Sequence, residues 1–329
     1  MAIDIFGITP HKVSRDLKGY TVLFYGAPKT GKTTIASHFD KALLLAFEMG
    51  YLALPGVMAQ PINSWNEFRR LLVELKEEET KQMFQTVVID TADIAYDYCV
   101  DYICDDNGVD NIGDLPFGKG YSLVEKEFDT CLRKIIQMDY GLILISHSTE
   151  RTEKNEQGEE YSKLEPTLDK RGRKICERTC DIIGFSHEVI NKETGQPETR
   201  LFLRGTPRFV AGSRFKYIPD SIVFSYENLV NAIGEAIDKE AAEHGNQYVT
   251  DERKNEYKEH EFEMPKFSEM REEAEKLFGS LVTKDAGNRL KISKIITEYL
   301  GVGKKFQDTT EMDAEKVWLI LQELRVLDK

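Results

Sequence analysis

No stretch of this 329-residue chain stays apolar long enough to cross a bilayer. The opening MAIDIFGITPHKVSRD also lacks the continuous apolar core of a secretory leader. Cysteine is sparse and unpatterned. Cys99, Cys104, Cys131, Cys176 and Cys180 are odd in number and never spaced C-x-x-C, which argues against a zinc knuckle or a disulfide framework. Reduced, partly buried thiols in a cytoplasm are therefore expected. Positive charge is in deficit as well. With 44 Lys and Arg against 57 Asp and Glu, the net charge is −13, which argues against coating duplex DNA by bulk electrostatics. A local basic groove stays open, because cations gather at 163–178, 200–216 and 284–305 while acid crowds 235–275.

Hydrophobic residues make up 41% of the chain and charged residues 31%, the balance of a soluble globular protein with one large and one smaller domain. Four β-rich apolar runs, 21–25, 42–47, 86–90 and 141–146, read as buried strands. Helical periodicity fills the gaps between them. Trp65, Phe68, Leu71, Leu72 and Leu75 share one face; Ala95, Tyr98, Cys99 and Tyr102 share a second; Val124, Phe128, Cys131, Leu132 and Ile135 share a third. Alternating strands and helices predict an α/β fold with a mostly parallel central sheet covered by helices. Residues 181–190 and 200–204 flank a Gly- and Pro-containing turn and predict a β-hairpin extending the sheet.

The expected organisation is an N-terminal arm over 1–18, a core over 19–244, an acidic linker over 245–265 and a small helical domain over 266–329. A helix at 226–243 closes the core. Three amphipathic sets follow the linker: Phe267 to Leu281, Leu290 to Tyr299 and Val317 to Leu324. They predict a bundle of about the minimum size that folds alone.

The most informative segment is Gly26-Ala27-Pro28-Lys29-Thr30-Gly31-Lys32-Thr33, which fits G-x-x-x-x-G-K-[ST] between a predicted strand and a predicted helix. Glycines let backbone N–H groups turn inward onto phosphate oxygens. Lys32 is placed to reach the β- and γ-phosphates, Thr34 to extend the cradle, and the Thr33 hydroxyl to complete a magnesium shell. This predicts ATP with Mg²⁺ as cofactors.

Asp90 ends the run Thr86-Val87-Val88-Ile89-Asp90, where a carboxylate holds magnesium directly or through water; the same residue could instead cap a helix. Glu48 follows the strand after the P-loop helix and should emerge at the phosphate edge of the sheet. There it could polarise the attacking water, or stand as a solvated loop carboxylate. His147 ends the fourth strand, either as a γ-phosphate sensor or as a hydrogen-bonded structural histidine.

Together GAPKTGKTT, LLLAFEMG, TVVIDT and LILISH resemble the RecA-like ATPase core. More narrowly, they resemble the phage-type AAA ATPases related to RecA and RadA, which include the Sak group of single-strand annealing proteins. The resemblance covers about residues 19–226. It implies that Glu48 is the general base, that the protein is a DNA-stimulated ATPase, and that it assembles as a ring or filament. It further implies that 107–120 and 149–173 are two DNA-binding loops, with Lys119 in the first and Lys163, Lys170, Arg171, Arg173 and Lys174 in or beside the second. Departures from RecA are a short P-loop helix, no long N-terminal oligomerisation domain, and His147 in place of a glutamine.

Arg204, Arg208 and Arg214 interleave with aromatics, as single-strand binders do. They could equally be hairpin residues or an arginine finger reaching a neighbouring subunit. The leading expectation is an ATP-dependent phage recombination protein that binds single-stranded DNA and promotes annealing in the host cytoplasm. Its helical domain would recruit a single-strand-binding protein. A helicase-like or loader ATPase and a nucleotide-switched interaction protein are the rival expectations.

Overall fold

The structure, a computed structural model, describes residues 10–251 and 264–328. They fall in two units, one within 10–257 and one within 258–329.

In the larger unit, twelve strands are described. β1 (Val13–Ser14), β2 (Thr21–Gly26), β3 (Ala42–Ala46), β4 (Ala59–Pro61), β5 (Thr86–Asp90) and β6 (Gly141–Lys154) come first. β7 (Glu160–Pro166), β8 (Ile182–Ile190), β9 (Pro197–Phe202), β10 (Gly212–Ser213), β11 (Ser221–Val223) and β12 (Val249–Thr250) follow. The main sheet runs β11-β9-β8-β2-β6-β5-β3-β4. Its members from β8 to β4 are parallel, whereas β8, β9 and β11 pair antiparallel. β2, which leads into the P-loop, is thus separated from β5, which ends in Asp90, by β6. That order is the RecA-like P-loop NTPase arrangement.

The strand runs are apolar without a break because both faces are covered. Leu23, Leu45, Val87, Ile89, Leu142 and Leu144 point into one core. Helices α2 (Trp65–Glu74), α4 (Ala92–Asn107), α5 (Lys119–Gln137) and α6 (Lys170–Thr179) supply most of the rest of it. Their neighbours one residue along, Val22, Phe24, Leu44, Val88, Ile143 and Ile145, point into the other core with α1 (Lys32–Ala36) and α7 (Tyr226–His244). The two-residue period fixes register, since a one-place slip would swap the cores. A short α3 (Glu78–Met83), without buried residues, escapes the periodicity reading.

β1 pairs β12 in parallel, so residues assigned by sequence to the arm and the linker are joined to the larger unit. Arg15 secures this end with Asp238 and Asp251. The expected linker otherwise lies largely outside the described residues. The stretch 149–173, expected as a loop, is instead ordered. β6 continues to Lys154 and pairs β7 from Ser148↔Pro166 to Lys154↔Glu160, and α6 begins at Lys170.

The smaller unit holds α8 (Phe267–Lys284), α9 (Asn288–Leu300) and α10 (Ala314–Leu327) around Met270, Ala274, Leu281, Ile292, Phe306, Val317, Ile320, Leu321 and Leu324. All five cysteines are buried and free, and burial pushes each thiol up, Cys131 to about 12. No described helix is long and apolar enough to cross a membrane.

Candidate active site

The P-loop leaves β2 at Gly26, which lies against β8. A Cβ there would fall 2.2 Å from the Ser186 carbonyl oxygen, so only glycine fits. Gly31 holds φ 89° at the turn into α1, a left-handed conformation that side chains disfavour. Thr30 ties the loop sideways, its Oγ1 lying 2.8 Å from Ser186 Oγ and donating to Ala27 O at 3.0 Å. The sequence reading missed Ser186, because nothing in the motif names a serine 156 residues away.

Lys32 is buried, with Nζ donating to Gly26 O at 3.0 Å and Ala27 O at 2.8 Å. Burial pushes its pKa down, and the nearby Asp90, Asp93 and Glu48 carboxylates oppose this. The ammonium therefore fastens the loop across the span a phosphate chain would occupy. Thr33 Oγ1 donates to Asp90 Oδ2 at 2.8 Å. Asp90 is 3% exposed, and burial raises its pKa while the Thr33 hydroxyl lowers it. A hydroxyl and a carboxylate from different elements, both hard oxygen donors, suit magnesium better than a softer metal. No cluster of three His, Cys, Asp or Glu able to hold a metal occurs among the described residues.

The β5 end also places Glu48. The Asp90 carbonyl accepts from Phe47 N–H at 2.8 Å and Glu48 N–H at 3.0 Å. The chain then passes at Gly50 just above the Thr33–Asp90 pair. β6 sets His147 opposite Gly26 in register, and His147 Nε2 lies 3.2 Å from Glu48 Oε2. Both side chains are partly solvent-exposed, at 32% for His147 and 47% for Glu48. His147 Nδ1 is buried without a partner. An orphaned N–H is rarer than an orphaned acceptor, so the proton belongs on Nε2, donating to Glu48.

Behind His147, Asp93 Oδ1 accepts from Ser146 Oγ at 3.0 Å and Thr167 Oγ1 at 2.6 Å, and Thr167 N–H donates to the His147 carbonyl. Asp93, three residues beyond Asp90 at the start of α4, went unremarked in the sequence; the spacing D-x-x-D was its available signal.

The expected DNA contacts divide in two. Lys163 pairs with Glu153 at 3.3 Å, Arg171 with Glu125 while lying 4.7 Å over the Tyr121 ring, and Arg173 with the buried Glu165. Lys119, Lys170 and Lys174 are exposed, with no ion pair among the described residues. Of the finger candidates, Arg204 donates to the Phe215 and Lys216 carbonyls and Arg214 pairs with Asp181 at 3.0 Å. Arg208 is exposed without an ion pair among the described residues.

A glycine-bent loop, a buried lysine and a threonine–aspartate pair across a parallel sheet define the chain as a P-loop ATPase. It belongs to the AAA domain family AAA_24, which matches residues 18–215. The chain is similar to the SPbeta prophage-derived uncharacterized protein YorG of Bacillus subtilis (strain 168), 28% identical over 99% of each chain. Among solved structures it is similar to the KaiC-like protein PH0186 of Pyrococcus horikoshii OT3 at 14% identity. That match covers 66% of this chain and all of the other, with a TM-score of 0.34.

Proposed function

We propose that the chain is a phage ATPase of DNA recombination that uses ATP hydrolysis to control single-stranded DNA and promote its annealing. The observation that carries the hydrolytic part is the Glu48–His147 contact beside the Thr33–Asp90 pair. Glu48 orients water and takes its proton, while His147 holds the carboxylate in place and Lys32 faces the β- and γ-phosphates. Magnesium, held by Thr33 and Asp90, would neutralise charge on the phosphate oxygens. The prophage origin of the YorG relative supports the biological setting.

The DNA part rests on the segment before α5. Phe117 is fully exposed with φ 58°, between Pro116 and the left-handed Gly118. Lys119 follows, and the Arg171-covered Tyr121 is two helical positions further on. A ring held open to solvent among cations suits stacking of unpaired bases. Assembly into a ring or filament, with Arg208 crossing to a neighbour's nucleotide, completes the proposal.

The net charge of −13 and the internal pairing of Lys163, Arg171 and Arg173 favour a second reading, an ATP-switched loader that acts through a protein partner. ATP turnover and fluorescence anisotropy with single- and double-stranded oligonucleotides separate the two. Stimulated turnover and preference for single strands, both reduced in Phe117→Ser, are expected. Turnover indifferent to DNA would overturn the recombination reading.

A further inference from the structure

We infer that the helical unit over 264–328 carries a docking cleft for an acidic peptide with an apolar anchor, presented by a partner protein. The cleft, of about 410 Å³, lies between α8, α9 and the turn after α9. Its floor is apolar. Ile292 and Ile296 come from α9, and Phe278 and Phe306 meet edge to face with centroids 4.9 Å apart.

The rim is cationic. Arg289, Lys304 and Lys305 line it, and the single carboxylate there, Glu275, is already held by Arg271 at 3.2 Å. Apart from Lys266 ahead of α8, the cations of the unit divide by position. Arg271, Lys276, Lys284, Lys316 and Arg325 each have a carboxylate partner. Arg289, Lys291, Lys294, Lys304 and Lys305 have none among the described residues. Over 286–305 the sequence offers five cations and one acid, Glu298, in a chain that is otherwise strongly acidic. Unpaired cations around an apolar floor call for a ligand bearing both carboxylates and an apolar side chain.

A peptide fits this chemistry better than a nucleic acid. Phe306 is 5% exposed and meets Phe278 edge to face, so Phe306 offers no open π-face for a base to stack on. A small apolar side chain would rest on the partly exposed Phe278 and Ile296, with flanking carboxylates on Lys304, Lys305 and Arg289. The inference is independent of the ATPase site and of the DNA reading.

The test uses the full-length protein and a fluorescein-labelled ten-residue peptide of glutamates flanking a central Phe-Leu pair, followed by anisotropy. Saturable binding that weakens with salt is expected, as is a loss of roughly tenfold in Lys304→Glu/Lys305→Glu. ATP binding should be unchanged in that variant. Replacing the peptide's Phe-Leu by Ser-Ser should abolish binding, and Ile296→Ser should weaken it without altering salt dependence. A flat titration with wild-type protein would overturn the inference. So would equal binding of the Ser-Ser peptide, or competition by an oligo-dT that Lys304→Glu/Lys305→Glu relieves. The last outcome would assign the cleft to nucleic acid.

Discussion

His147 and Glu48 come from strands separated by β5, yet their side chains meet at 3.2 Å over the phosphate edge of the sheet. If Glu48 is the base, as proposed, this contact orients it before substrate arrives. Glu48→Gln keeps the reach of the side chain and removes its basicity. Turnover of ATP should fall by roughly 10²–10⁴-fold with ATP affinity little changed. Steady-state phosphate release alongside nucleotide titration checks this. Normal turnover would remove Glu48 from the chemistry.

In the proposed mechanism His147 acts through Glu48 as a positioning residue. His147→Ala should lower kcat by roughly tenfold while leaving KM for ATP near its original value. In the double variant with Glu48→Gln the two losses should not add, because both remove one function. Additive losses would mean that His147 works by a separate route.

Asp90 offers a test with a sign. Burial raises its pKa, with the Glu48 charge adding to the rise and Thr33, Lys32 and His147 opposing it. The folded chain therefore holds this proton more tightly than the unfolded chain does, and ionising Asp90 costs stability at neutral pH. Asp90→Asn should melt higher than the parent protein near pH 7, each kcal/mol recovered showing as roughly 2–4 °C. That gap should close as pH falls from Asp90's raised value through the ordinary carboxylate range. The same substitution should weaken magnesium-dependent ATP binding. A gap that widens in acid would contradict the burial argument.

Arg173 should behave as a structural residue. Its side chain is 14% exposed and pairs with Glu165, which is 3% exposed and also meets Arg151. Removing Arg173 leaves the buried Glu165 with the half-exposed Arg151 alone, so Arg173→Ala should destabilise by roughly 1–3 kcal/mol in urea melts. Adding Glu165→Gln should return part of that loss. No recovery in the double variant would mean the pair is not energetically coupled.

Cutting the chain after residue 251 should leave a cooperatively folding, ATP-binding unit. A cut at 245 would delete β12 and strip β1 of its partner. Thermal melts of the two truncations should therefore differ, with the shorter one melting lower. Identical melts would mean that the β1–β12 pair adds nothing.

How much of this was legible in sequence follows from where each signal lies. Two-face burial writes itself as unbroken runs such as Thr86–Asp90, and the three C-terminal helices carry apolar sets at helical spacing, so those elements were readable. The P-loop was readable because backbone geometry forces its glycines. The second half of β6 was not. Ser148 to Lys154 is polar throughout, since that ribbon leaves the core and pairs only with β7. The fate of the cations was equally hidden. Arg171 and Glu125, or Arg151 and Glu165, are brought together only by the fold, and a basic run looks the same in sequence whether or not its charges are spent internally.

The uninterrupted course of β6 has a mechanical consequence. One strand begins among the parallel strands, touches the nucleotide edge at His147 and continues, paired with β7, beyond the point where Leu164 is tied to Arg208 and Val210. The seven residues beyond His147 span roughly 23 Å at strand rise, so a pivot of about 10° at the histidine would carry Lys154 through roughly 4 Å. A displacement too small to notice at a phosphate becomes, at the hairpin tip, about the spacing between neighbouring strands.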